Sequence, residues 1–181
     1  MNGKYYHVER NLIMNDKIAK TAENAVGKNR EQVNCKGNYA WCARFVSNML
    51  IEAGVKGIDT ASCTDMFQTM KNKPADWSEP DDYPERGDII FFDWNRIQEE
   101  KPLDHVGIVV DFDHLSKRVY YVNGNGDNPD RVTKQNMNIS NQSIAYWLRY
   151  TGDNNDRYAE IEKQLAELKN KIAKIRAILD N

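Results

Sequence analysis

The sequence holds three cysteines and three histidines, and one of each sits where acyl-transfer chemistry needs it. Cys42 falls in the first turn of a predicted helix, on that helix's apolar stripe. A thiol there feels the positive end of the helix dipole and the unpaired N–H groups of the first turn. Both favour the thiolate, which is the nucleophilic form. The position equally suits a small buried hydrophobe. Cys35 and Cys63 lie in loop-like or helix-edge contexts and read as structural. A thiolate nucleophile needs a base. His7 lies near the amino terminus and His114 in a polar link, which leaves His105 at the start of a predicted strand. Alternation puts His105, Gly107 and Val109 on one face and Asp104, Val106 and Ile108 on the other, so Asp104 points away from the ring. Asn123 ends the following strand, on the face of Val119 and Tyr121. Its amide oxygen is positioned to accept the His105 Nδ1–H, the third role in a Cys-His-Asn site. Asn123-Gly-Asn-Gly126 is also a plain turn signal, and by residue type alone the turn is the stronger reading.

The elements that hold these residues follow from periodicity. Residues 15–27 read as a helix stopped by Gly27. From Ala40 to Ala53, the apolar residues Cys42, Phe45, Val46, Met49, Leu50 and Ala53 form one stripe at 3.6-residue spacing, with Gly54 as the stop. A short helix fits Cys63–Lys71. After Pro74 the texture changes to strands: Asp88–Asp93, a hairpin of His105–Phe112 with Arg118–Val122, and Ile144–Tyr150. Helices first and antiparallel strands second predict an α+β fold, with N-terminal helices packed on an antiparallel sheet. Composition shifts once, near residue 151, so a domain over 1–150 and a helical tail over 151–181 are expected.

Other functions are poorly supported. A net charge of −2 does not suit a protein that coats nucleic acid. No apolar run reaches the length of a membrane span. The first ten residues, MNGKYYHVER, lack the apolar region of a secretory signal, so synthesis in the cytoplasm is expected. No zinc motif occurs, and the oxygen-rich loop Asn123–Asp130 lacks EF-hand spacing, so no metal and no cofactor are expected.

Four segments together resemble the CHAP domain, the cysteine, histidine-dependent amidohydrolase/peptidase: Ala40–Ser47 (AWCARFVS), Gly87–Phe92 (GDIIFF), Asp104–Ile108 (DHVGI) and Val119–Asn125 (VYYVNGN). They occur in the family's order, and the resemblance runs from about Asp16 to Tyr150. It implies a papain-like fold and cleavage of amide bonds in bacterial peptidoglycan, as by an N-acetylmuramoyl-L-alanine amidase or an endopeptidase. By position Cys42 would be the nucleophile, His105 the base and Asn123 its orienting partner, with Asn125 on a second position that is frequently Asn. Tyr39, Trp41 and Trp94 are candidates to line the cleft, and Asn38 or Tyr39 to supply a second oxyanion donor. Action on the wall after release, as by a phage or prophage endolysin, fits the resemblance. A cysteine peptidase acting on protein, or a non-enzymatic oligomeric binding module on the same fold, are the alternatives.

The tail is separate from that resemblance. Tyr158, Ile161, Leu165, Leu168, Ile172, Ile175 and Leu179 alternate spacings of three and four, a heptad seam. A coiled-coil homo-oligomer through residues 158–179 is expected, and isoleucine at d leans toward three or four strands.

Overall fold

Cys42 is carried by a helix whose start is left uncapped and whose end is sharply stopped. In this computed structural model, which describes residues 3–37, 40–94, 103–126, 128, 130–152, 165, 168–169 and 171–172, helix α2 spans Cys42–Ala53. Its N-cap residue, Trp41, has no side chain able to accept from the first-turn N–H groups, and none does. Gly54 ends it in the left-handed conformation (φ 99°), with its N–H on the Ile51 carbonyl. The predicted stripe is the buried face: Cys42, Phe45, Val46, Met49, Leu50 and Ala53 all lie in the core.

Helix α1 spans Gly3–Ala25, beginning well before the expected residue 15. Ile18, Ala19, Ala22 and Ala25 pack it against α2 and the sheet. Helix α3 spans Cys63–Lys71, and the Ser62 hydroxyl accepts from the Asp65 N–H as its cap.

The strands are β1 (Trp77–Ser78), β2 (Ile89–Phe92), β3 (His105–Asp113), β4 (Arg118–Asn123), β5 (Thr133–Asn138) and β6 (Ile144–Tyr150). They form one antiparallel sheet in the order β1-β6-β2-β3-β4-β5. The α+β reading and the β3–β4 hairpin therefore hold, while β1 and β5 were not anticipated. Alternation divides the sheet's side chains between two apolar groups. Ile89, Phe91, Val106, Ile108 and Val122 join the helices in the main core. Ile90, Phe92, Val109, Val119 and Tyr121 pack together on the other face, the one that also carries His105.

Gly87 and Asp88, at the head of β2, turn out to have structural roles. A side chain at Gly87 (φ 94°) would meet the Asn15 backbone at 2.3 Å, so only glycine lets the turn pass α1. Asp88 is fully buried and accepts from Arg149 Nε and Nη2, each at 3.0 Å, and from the Glu85 N–H at 2.8 Å. Burial pushes its carboxyl up, and Arg149 offsets this only in part. Asp88→Ala would strand a mostly buried guanidinium. It should cost about 3 kcal/mol, the low end for breaking a buried ion pair, because Asp82 and Glu85 remain 3.4 and 3.3 Å from Arg149. At this chain length that is a fall in Tm of roughly 6–12 °C, read by thermal unfolding. Asp88→Asn keeps the acceptor for the Glu85 N–H and should fall less.

The tail lies largely outside the described residues, as do Tyr158, Ile161, Ile175 and Leu179 of the expected seam. Leu165, Leu168 and Ile172 are helical and about half exposed.

Candidate active site

Two helices begin at the same point. Cys42 is the first residue of α2 and Cys63 the first of α3, and their sulfurs lie 3.5 Å apart. Cys63 is therefore not the isolated structural thiol that its sequence context suggests. Its S–H is the largest influence on Cys42, which is drawn down to about pH 4 against the opposing effect of burial. A hydrogen bond from His105, its positive charge and the Ala43 N–H pull in the same direction. Burial and the neighbouring Cys42 sulfur push Cys63 the other way. The pair thus divides into a thiolate at Cys42 and a thiol at Cys63. The start of α2 works in the same direction: Trp41 supplies no side-chain cap there, and the positive end of the helix dipole favours an anion. Cys35 is buried with its thiol pushed up to about 11 and stays apart from this pair.

His105 opens β3 opposite Phe92 and is 5% exposed. Its ring lies 5.7 Å from Phe92 and 6.0 Å from Trp94. Asp104 Oδ2 accepts the Trp94 N–H at 2.9 Å and so fixes Trp94. Asn123 ends β4 on the His105 side of the sheet and is fully buried. Its Nδ2 donates to Gln135 Oε1 at 2.8 Å. Its Oδ1 is buried with no hydrogen-bond partner among the described residues, and the same is true of His105 Nε2. The Nδ1–H to Asn123 hydrogen bond expected from sequence is not formed, since Asn123 Oδ1 accepts from no described residue, and the unpartnered ring nitrogen is Nε2. Buried polar atoms are rarely left so, and an N–H and an amide oxygen are complementary.

The turn after Asn123 is real too. Asn125 has φ 57°, and both flanking glycines are required. A side chain at Gly124 would meet the Trp41 ring at 2.3 Å, and one at Gly126 would meet Asn123 Oδ1 at 2.1 Å. The Asn-Gly-Asn-Gly signal therefore serves as a turn and as the mount for Asn123 together.

A groove of about 460 Å³ opens beside His105, lined by Trp94, Tyr121, Asn125, Gly126, Gln135 and Asn136 among others. Trp94 is 45% exposed and stacks flat on Phe92 at 5.0 Å. Trp41 is not part of this wall. It is fully buried, edge-on to Phe45 and against Gly124, because an indole preceding α2 fills the core more than it faces solvent. Tyr39 and Asn38 lie outside the described residues. Sequence reading missed Gln135, since no apolar alternation announces β5, and missed the pairing of Cys63 with Cys42.

A sheet backed by helices, with a cysteine at a helix start and a histidine at a strand start, is the architecture of papain-like thiol hydrolases. The chain belongs to the CHAP domain family: the family's profile matches residues 34–125, just over half of the sequence. The crystal structure of Ly7917 is similar to it in fold, at 15% identity and a TM-score of 0.52, covering 76% of this chain and 62% of that one. Ly7917 crystallised with the hydrolyzing product of MDP matches at 16% identity and a TM-score of 0.52, covering 77% and 63%. A Staphylococcus aureus structure described as similar to a lipoprotein of the NLP/P60 family matches at 16% identity and a TM-score of 0.46, covering 78% and 42%. The chain spans less than two thirds of Ly7917's length. No curated protein matches the sequence. Among the described residues, no helix is long and apolar enough to cross a membrane.

Proposed function

We propose that this chain is a cysteine-dependent peptidoglycan hydrolase that cuts an amide bond of the bacterial wall through Cys42, His105 and Asn123. The observation that carries the reading is the placement of Cys42 at the uncapped start of α2, its sulfur 3.5 Å from Cys63, with His105 drawing it toward the thiolate. Membership of the CHAP family and the likeness to Ly7917, a protein crystallised with a hydrolysis product of MDP, support the substrate class. In this mechanism the thiolate attacks the amide carbon and the carbonyl electron pair moves onto oxygen. The Cys42 backbone N–H, at the helix start, stabilises that oxyanion. His105 gives its proton to the leaving amine, then takes one from the water that releases the acyl-enzyme. Asn123 Oδ1, which has no partner among the described residues, takes up the His105 Nε2–H during turnover and holds the ring. Because the groove opens on the His105 side, the leaving group sits there, over Trp94 and against Asn125. The wall is the site of action, in keeping with a phage or prophage endolysin.

Purified walls digested with the protein should release fragments with new amino termini. Their masses should place each cut at the sugar–peptide amide or within the peptide. If iodoacetamide modifies Cys42 yet walls release nothing, the substrate class is wrong.

Residues 1–150 form the catalytic unit in this reading, and 151–181 gather copies of it. Leu165, Leu168 and Ile172 form one half-exposed apolar helical face that a second copy would cover. Light scattering should find the full chain oligomeric, with three or four strands, and a truncation after Tyr150 monomeric. The truncated form should keep its rate on small soluble wall peptides and lose rate on whole walls, where linked domains raise effective concentration. A monomeric full-length chain at micromolar concentration would exclude the seam.

A further inference from the structure

We infer that Cys63 is the resolving thiol of Cys42: after a hydroperoxide oxidises Cys42, the two sulfurs close into a reversible disulfide that switches the site off and protects it. The inference rests on Cys42 being the reactive thiol of the proposed function. Its geometric basis is independent of any substrate. Two helices from different parts of the chain start side by side and deliver their first residues to one spot, with the sulfurs 3.5 Å apart. A disulfide needs about 2.0 Å, so the sulfurs must approach by about 1.5 Å, a shift on the scale of side-chain rotation.

The steps balance with a hydroperoxide as oxidant and a dithiol as reductant. The Cys42 thiolate attacks the peroxide: an S–O bond forms, the O–O bond breaks, and the departing oxygen leaves with a proton as water or an alcohol. Cys42 is now a sulfenic acid. The Cys63 sulfur attacks it: the S–S bond forms, the S–O bond breaks, and hydroxide leaves with the Cys63 proton as water. Two electrons have passed from the thiol pair to the peroxide. A dithiol returns them by exchange and frees Cys42.

Burial decides which oxidant and which thiols take part. Cys42 is 3% exposed and Cys63 7%, so a peroxide reaches them more readily than a bulky disulfide reagent. The thiolate form at Cys42 makes it the first to react. Cys35 is buried, held protonated by its surroundings and bonded to Asn48, so it stays reduced. Without a neighbour, a sulfenic acid continues to the sulfinic and sulfonic acids, which a dithiol does not reverse.

The test treats the full chain with hydrogen peroxide and maps its peptides without reduction. Wild type and Cys35→Ser should each lose two hydrogens and yield a Cys42–Cys63 cross-linked peptide. Wall clearing should vanish with the cross-link and return, relative to each protein's own untreated rate, on adding dithiothreitol. In Cys63→Ser, Cys42 should gain two or three oxygens and activity should not return. The inference is overturned if wild-type Cys42 accumulates sulfinic acid with Cys63 unlinked, or if Cys63→Ser recovers as fully as wild type. Peptide mapping reads the bond itself and so separates the two readings. A cross-link in a protein whose Cys42→Ala variant still clears walls would sink the proposed function and with it the switching-off, and leave Cys63 standing as the resolving thiol. An inactive Cys42→Ala variant with no cross-link in wild type would sink this inference alone.

Discussion

Cys42→Ala should reduce wall clearing to background, a loss on the order of 10⁴-fold or more, while unfolding remains cooperative. The two halves of that expectation have separate causes. The activity goes because no other described thiol combines an uncapped helix start with His105: Cys63 is pushed up by its neighbour, and Cys35 is raised to about 11. The fold survives because deleting one small sulfur from the end of α2 leaves its buried stripe intact, at a cost on the order of 1 kcal/mol. A companion measurement needs no substrate. The rate of Cys42 alkylation should be flat through neutral pH and fall only as pH drops through about 4, where the thiolate takes up its proton. An ordinary thiol would lose reactivity below its usual value of 9.0. Wild-type clearing by Cys42→Ala would remove the assignment of chemistry.

How far these features were legible depended on whether they are local. The stripe of α2 and the β-branched runs of β3 and β4 carry their own periodicity, so the faces that Cys42, His105 and Asn123 occupy were readable. Strand β5, Thr133–Asn138, was not: it has no apolar alternation and pairs only with β4, at the sheet's edge, yet it supplies Gln135 to Asn123. The first half of α1 lacks the stripe that would have extended it to Gly3. The approach of Cys63 to Cys42 is tertiary. It depends on where α3 begins relative to α2, and 21 residues of chain separate the two. Trp41 and Trp94 are the same residue type beside the same site, and sequence treated them alike. Gly124 and Phe45 draw one into the core, whereas Asp104 and Phe92 hold the other against the groove.

His105→Ala should cost several decades in rate and also change Cys42 itself, which separates a base from a merely structural residue. Losing the His105 hydrogen bond and charge removes two of the influences that hold the thiolate. The Cys63 S–H and the Ala43 N–H remain, so the alkylation midpoint should move up from about 4 without reaching 9.0. Asn123→Ala should cost less, because Asn123 aims the ring and holds no charge; its signature is a lower kcat with the Cys42 midpoint little moved. Asn123→Asp should be tolerated: Gln135 can turn its amide to donate where it now accepts, and a carboxylate would support the imidazolium. His114→Ala provides the control. His114 lies exposed beyond β3 against Tyr83 and Phe112, and its removal should leave both the rate and the Cys42 midpoint unchanged. If His114→Ala is the damaging change and His105→Ala leaves the Cys42 midpoint where it was, the base has been misplaced.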